Sequence, residues 1–125
     1  MSLDFFDSSG QPYAYCDDGD TIFTFSGSPI AYIDGDSIYS FSGAHLGFFE
    51  DGNIWDHHGN VILFTPSSSA GPVKPLQALK PLQALKPLKG LKSLKPLKRL
   101  KSLKPLKSLK SINWSTISPQ QLFER

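Results

Sequence analysis

The chain has 125 residues, a formal net charge of +2, 39% hydrophobic residues and a single cysteine. That length holds one domain and an appendage. The lone Cys16 excludes an internal disulfide framework, and no run approaches the ~18 apolar residues of a membrane span. Met1-Ser-Leu-Asp-Phe-Phe-Asp has neither the basic start nor the apolar stretch of a secretion signal, so a reducing, cytoplasmic setting is expected. The small net charge conceals a split. Residues 1–73 hold ten of the eleven carboxylates and no Lys or Arg, whereas residues 74–112 hold eleven Lys, one Arg and no acid. A part of about −10 thus precedes a part of about +12, and such fields attract over a screening length of roughly 8–10 Å. Any outside anion must compete with the chain's own acidic half.

Residues 1–65 are expected to form a mainly β domain. Gly10, Gly27, Gly43 and Gly59 are spaced 17, 16 and 16 residues apart and mark four copies of one unit. After each glycine come alternating apolar residues: Tyr13 and Tyr15, Ile30 and Tyr32, Leu46 and Phe48, Ile62 and Phe64. This period of two predicts a strand with one buried face. Between them stand Ala14, Ala31, Gly47 and Leu63; the small residues point to a crowded place near an axis. An acidic glycine loop follows in three copies, Asp17-Asp18-Gly19-Asp20, Asp34-Gly35-Asp36 and Glu50-Asp51-Gly52-Asn53, with the chemistry of a tight hairpin turn. Second strands are predicted at Ile22-Phe23, Ile38-Tyr39 and Ile54-Trp55. The fourth copy stops at Phe64, and Phe5-Phe6 stand at the matching distance before Gly10. The first strand is therefore expected to complete the last repeat and close the ring, which removes open sheet edges. A domain of this size buries only about 60% of its extended-chain surface, and thirteen of the fifteen aromatics lie before residue 66 to supply a dense core.

The segments Gly27-Ser-Pro29-Ile30-Ala31-Tyr32-Ile33-Asp34-Gly35-Asp36-Ser37-Ile38-Tyr39, His45-Leu46-Gly47-Phe48 and Trp55-Asp56-His57-His58-Gly59-Asn60-Val61 resemble the four-fold β-flower family over about residues 3–65. The resemblance implies a bacterial domain of four hairpin petals around a pseudo-four-fold axis. It brings no catalytic residues with it.

Pro66-Ser-Ser-Ser-Ala-Gly-Pro72 reads as a hinge over residues 66–73. Residues 74–112 then repeat in triplets. One register is Leu76, Leu79, Leu82, Leu85, Leu88, Leu91, Leu94, Leu97, Leu100, Leu103, Leu106 and Leu109, flanked by Val73 and Ile112. The next carries Lys74, Lys80, Lys86, Lys89, Lys92, Lys95, Lys98, Lys101, Lys104, Lys107 and Lys110, and the third Pro, Ala, Gly, Ser or Arg99. In an α-helix this period would spiral the leucines around every side, and five interior prolines would break it. A strand would send successive leucines to opposite faces. Polyproline II, with three residues per turn, keeps Leu, Lys and small residues on separate faces. That extended form is the expectation, and the leucine row is expected to need an apolar cover: another copy, the domain itself or a lipid interface. Within residues 113–125, Ser118-Pro119-Gln120-Gln121 carries the capping signal of a short helix.

No catalytic site, metal site or cofactor is expected. His45, His57 and His58 lack ligand-like spacing, and adjacent histidines on a strand would point to opposite sides. The acidic loops do not match a twelve-residue calcium loop, Cys16 has no basic neighbour, and no phosphate loop opens a helix. Symmetry instead gathers Asp17, Asp18, Asp20, Asp34, Asp36, Glu50 and Asp51 onto one rim, a dock for the lysines. The expected function is a non-enzymatic binding or assembly module whose tail self-associates or meets a protein partner. The alternative is peripheral binding of an anionic membrane surface, at the inner face of the membrane. Nucleic acid is disfavoured, because the tail lacks aromatics and the acidic domain repels the polymer.

Overall fold

The computed structural model describes residues 3–73 and 91–124. Eight strands run in chain order: β1 (Leu3–Phe6), β2 (Pro12–Cys16), β3 (Thr21–Thr24), β4 (Pro29–Asp34), β5 (Ser37–Tyr39), β6 (His45–Glu50), β7 (Asn53–Trp55) and β8 (Val61–Phe64). Each pairs antiparallel with its neighbours, and the sheet closes into a barrel. The closure is the expected one: β1 pairs with β2 and, through Phe6 opposite Phe64, with β8. Three petals are the hairpins β2–β3, β4–β5 and β6–β7; the fourth joins β8 to β1 from opposite ends of the domain. The acidic loops form the three hairpin turns. Asp7, Thr24, Ser40 and Asp56 organise the connections between petals, each accepting an amide from four residues onward on its side-chain oxygen.

The strands differ from the expected single buried face. In every connection between petals the register slips by one residue: Ile22 faces Ala31 but Phe23 faces Pro29, and Ile54 faces Leu63 but Trp55 faces Val61. Tyr13, Ile30, Leu46 and Ile62 are the skipped residues of these four bulges. A bulge moves one residue out of the alternation. Leu46 and Ile62 thereby join Ala14, Ala31, Ile22, Ile38, Ile54 and Leu63 in the central core, and Tyr13 and Ile30 pack against it. The residues two further on do not share that face. Tyr15 with Phe23, Tyr32 with Tyr39, and Phe48 with Trp55 form separate buried clusters, one per petal, on the other side of the sheet. Both faces of the strands are covered, which explains how so short a domain buries its aromatics.

The C-terminal segment completes the core. Helix α1 (Pro119–Phe123) starts at Ser118, whose hydroxyl accepts the Gln121 amide while the Gln121 side chain accepts from the Ser118 amide. The capping box expected from the sequence is present. Leu122 is fully buried within the central cluster, and the Phe123 ring stacks on Tyr13 at 5.9 Å. Just upstream, the Val61 amide donates to Asn113, Ser115 donates to the Val61 carbonyl, and Trp114 packs on Phe64. The segment read as a hinge is also tied down. The Ser69 amide donates to the Asp51 carbonyl at 2.9 Å, and Asn53 donates to the Ala70 carbonyl at 2.9 Å.

Candidate functional site: the interface of head and tail

The seven rim carboxylates sit on the three hairpin turns, and the described tail passes them in chain order. Lys92 pairs with Asp17 at 2.7 Å, Lys95 with Asp18 at 2.8 Å and Lys98 with Asp20 at 3.1 Å. Lys101 reaches Asp34, Lys104 and Lys107 share Asp36, and Lys107 also touches Glu50. Lys110 closes the series on Glu50 at 3.0 Å and Asp51 at 2.7 Å. These contacts favour the ionised form of Asp18, Asp34, Asp36 and Glu50. Lys104 and then Lys107 lower Asp36 from 3.8 to about 2. Lys101 lowers Asp34, and Lys107 with Lys110 lowers Glu50. At Asp18 burial pushes upward, but Lys95 and the amides of Thr21 and Asp20 outweigh it and hold the carboxyl well below its ordinary range. The same hydrogen bonds raise Lys92, Lys95, Lys101, Lys107 and Lys110.

Exposed ion pairs contribute little one by one, so the lysine stems matter as much as their charges. Six of the seven stems, all but that of Lys95, lie over a ring of the outer aromatic layer on the way to the rim. Lys92 lies over Phe23 at 4.9 Å, Lys101 over Tyr39 at 5.7 Å and Lys110 over Trp55 at 5.4 Å from the ring centroid. Lys98 over Tyr32 at 4.5 Å and Lys107 over Phe48 at 5.5 Å form a second equivalent set. The four methylenes cover the ring while the ammonium stays at the wet edge. The aromatic clusters are buried because the tail lies on them.

The backbone fixes the register. The amides of Ser93, Ser102 and Ser111 donate to the carbonyls of Gly27, Gly43 and Gly59 at 2.9, 2.8 and 2.9 Å. The serines recur every nine residues and the glycines every sixteen, so three triplets of tail span one petal of head. Sequence reasoning found the triplet and missed this longer period. It was present in the third register, where Pro87, Pro96 and Pro105 also recur every nine residues. The approach is close at two of the loops: a β-carbon on Gly43 would lie 2.1 Å from the Leu100 carbonyl oxygen, and one on Gly59 would lie 2.0 Å from that of Leu109. Ser102 also accepts the His45 amide on its hydroxyl, and Ser108 donates to the His57 carbonyl.

Of the three covers expected for the leucine row, the domain itself does not supply one. Leu91, Leu94, Leu97, Leu100, Leu103, Leu106 and Leu109 are 91–96% exposed, and none of them is covered by the domain. The reason lies in the head: its outer face offers rings and carboxylates, which match lysine at both its apolar and its charged end. The lysine face turns inward, and the leucine face is left outward. Leu76, Leu79, Leu82, Leu85, Leu88, Lys74, Lys80, Lys86 and Lys89 lie outside the described residues.

The histidines correct a second expectation. His57 and His58 occupy a turn between β7 and β8, not a strand. That turn brings His57 Nε2 to 2.8 Å from His45 Nδ1, while His45 Nε2 meets the Ser37 hydroxyl at 3.1 Å. Burial, then the neighbouring His57 and Lys104, lowers His45 from 6.5 to about 4, so it is neutral at pH 7. Among the described residues no group of three or more His, Cys, Asp or Glu is placed to hold a metal ion. Cys16 is buried, its thiol pushed upward by that burial, and it lies 3.8 Å from Asp18.

The closed ring of eight strands places the chain among the β-flower folds. The chain belongs to the family described as 4-fold beta flower protein, whose sequence profile matches residues 3–123. The matched residues extend past the petals and end within α1. It is not a known enzyme family. No curated protein and no solved structure matches the chain.

Proposed function

We propose that the protein is a non-enzymatic assembly module, in which the head holds its own tail as a strap and the strap presents a leucine belt to a protein partner. One observation carries this reading. Seven successive lysines from Lys92 to Lys110 face the head, while seven leucines interleaved with them face water. A strict three-residue alternation of inward and outward faces is the signature of three residues per turn, which supports a polyproline II conformation for the strap. Contiguous apolar rows of this size on a soluble surface mark interaction sites.

The charge balance disfavours the membrane alternative. The lysines that would draw the tail to anionic lipid are paired with the rim, and the same pairing removes them from phosphate contact. Among the described residues, no helix is long and apolar enough to cross a membrane.

If the belt serves binding and not folding, replacing Leu94, Leu97, Leu100 and Leu103 together by serine leaves the thermal midpoint, compared at a dilution where no partner is bound, within about 4 °C of the original, as expected for positions exposed in the single chain. Buried leucines would each cost about 2–5 kcal/mol on truncation. A fall of tens of degrees in a calorimetric scan would assign the row to the core and refute the reading.

A further inference from the structure

We infer that the occupant of the leucine belt is a second copy of this chain. The inference rests on the reading of the belt as a binding face and adds the identity of what covers it. Three features point the same way. The first is charge: the strap's lysines from Lys92 to Lys110 are matched by the chain's own carboxylates. Arg99 is the only charge in the third register. The belt therefore offers a partner an apolar, nearly neutral surface, unsuited to recruiting an anionic polymer or headgroup and suited to an equally apolar one.

The second is area. Seven leucines and Ile112, which is 79% exposed, present about 100 Å² of apolar surface each, or roughly 800 Å² together. That exceeds the largest patch usual on a monomer, about 300–600 Å². It equals the ~800 Å² that each partner contributes to a standard stable interface. The third is repetition. A row with one leucine every three residues is complementary to a second identical row in several registers, and a two-fold axis relates such rows to each other. Small residues alternate with the leucines, at Ser93, Pro96, Ser102 and Pro105, and let two rows approach closely.

The test is the mass of the full chain in solution by size exclusion with light scattering, from about 5 to 500 µM. The L94S/L97S/L100S/L103S variant and the single L100R variant are measured beside it. The unaltered chain is expected at twice the protomer mass of 13.8 kDa or above, with both variants shifted to the protomer mass and their near-ultraviolet circular dichroism unchanged. An unaltered chain at the protomer mass throughout overturns the inference, as does an oligomer that both variants retain. These outcomes are separable from failure of the underlying reading, which would appear as unfolding of the serine variant. Flotation with neutral or anionic vesicles by a monomeric chain would give the belt to lipid and likewise overturn it.

Discussion

Replacing Leu122 by alanine lowers the thermal midpoint by at least about 8 °C. Leu122 lies 58 residues beyond Phe64, the last petal strand residue in sequence, yet it is fully buried in the central cluster with Ile22, Ile38 and Ile54. Helix α1 is too short to hold itself together; its capping box only selects the conformation in which Leu122 points into the barrel. Removing the side chain leaves a cavity at a site whose closed ring cannot easily collapse. The cost is about 2–5 kcal/mol, and each kcal/mol is worth about 4–8 °C in a domain of this size. The same change loosens the stack of Phe123 on Tyr13 and frees the C-terminal anchor of the strap. A calorimetric scan checks it, and a midpoint within about 2 °C of the original would mean that α1 lies off the core.

Gly43→Ala is expected to separate the strap from the head. The glycine sits at φ +97°, and its new β-carbon would meet the Leu100 carbonyl oxygen at 2.1 Å. Both the left-handed backbone, worth about 1–2 kcal/mol, and the collision with main chain act against it. The collision cannot be relieved by a side chain turning away. The strap must move, and with it go the Ser102 bond to Gly43 and the placement of Lys101 over Tyr39. Gly35→Ala separates the two causes. It also has a positive φ, +64°, but nothing lies within 4 Å of its β-carbon. The Gly35 variant should lose stability through backbone strain alone and keep Tyr39 covered. The Gly43 variant should lose stability and also raise the exposure of Tyr39, read by solvent perturbation of the tyrosine spectrum. Equal exposure in the two variants would contradict the close passage of the strap.

Much of the head was legible because its signals are local. The Asp-Gly turns, the four glycines and the Phe5-Phe6 pair that closes the ring all declare themselves by spacing. Ser118-Pro119-Gln120-Gln121 declares its helix in the same way. The bulges at Tyr13, Ile30, Leu46 and Ile62 did not, since a simple alternation cannot show that one residue is skipped by the strand opposite. That single omission hid the outer aromatic layer, because Tyr15, Tyr32 and Phe48 were counted with the core. Once the layer is seen, the orientation of the tail follows from the head: rings and carboxylates select lysine, whatever the hydrophobicity of the leucines. The tail's own composition pointed to the rim as a dock for the lysines but left open whether the domain would also cover the leucine row. The meeting of His45 with His57 was illegible for a related reason, as it depends on a turn replacing a strand.

Amide hydrogen exchange on the full chain tests the central claim, that the head binds the strap by its lysine face and not by its leucine face. At pH 6 the amides of Ser93, Arg99, Ser102 and Ser111, which donate to Gly27, Phe41, Gly43 and Gly59, should be protected, with the serines recurring every nine residues. The leucine amides between them should exchange near their intrinsic rates. Because Asp18, Asp34, Asp36 and Glu50 are depressed in the folded chain, to about 2 at Asp36, their contribution to this protection is fully present above their unfolded value near 4 and is lost progressively as pH falls from there through the folded values. A tail that exchanges freely at pH 6, or one protected at its leucines, would contradict the account.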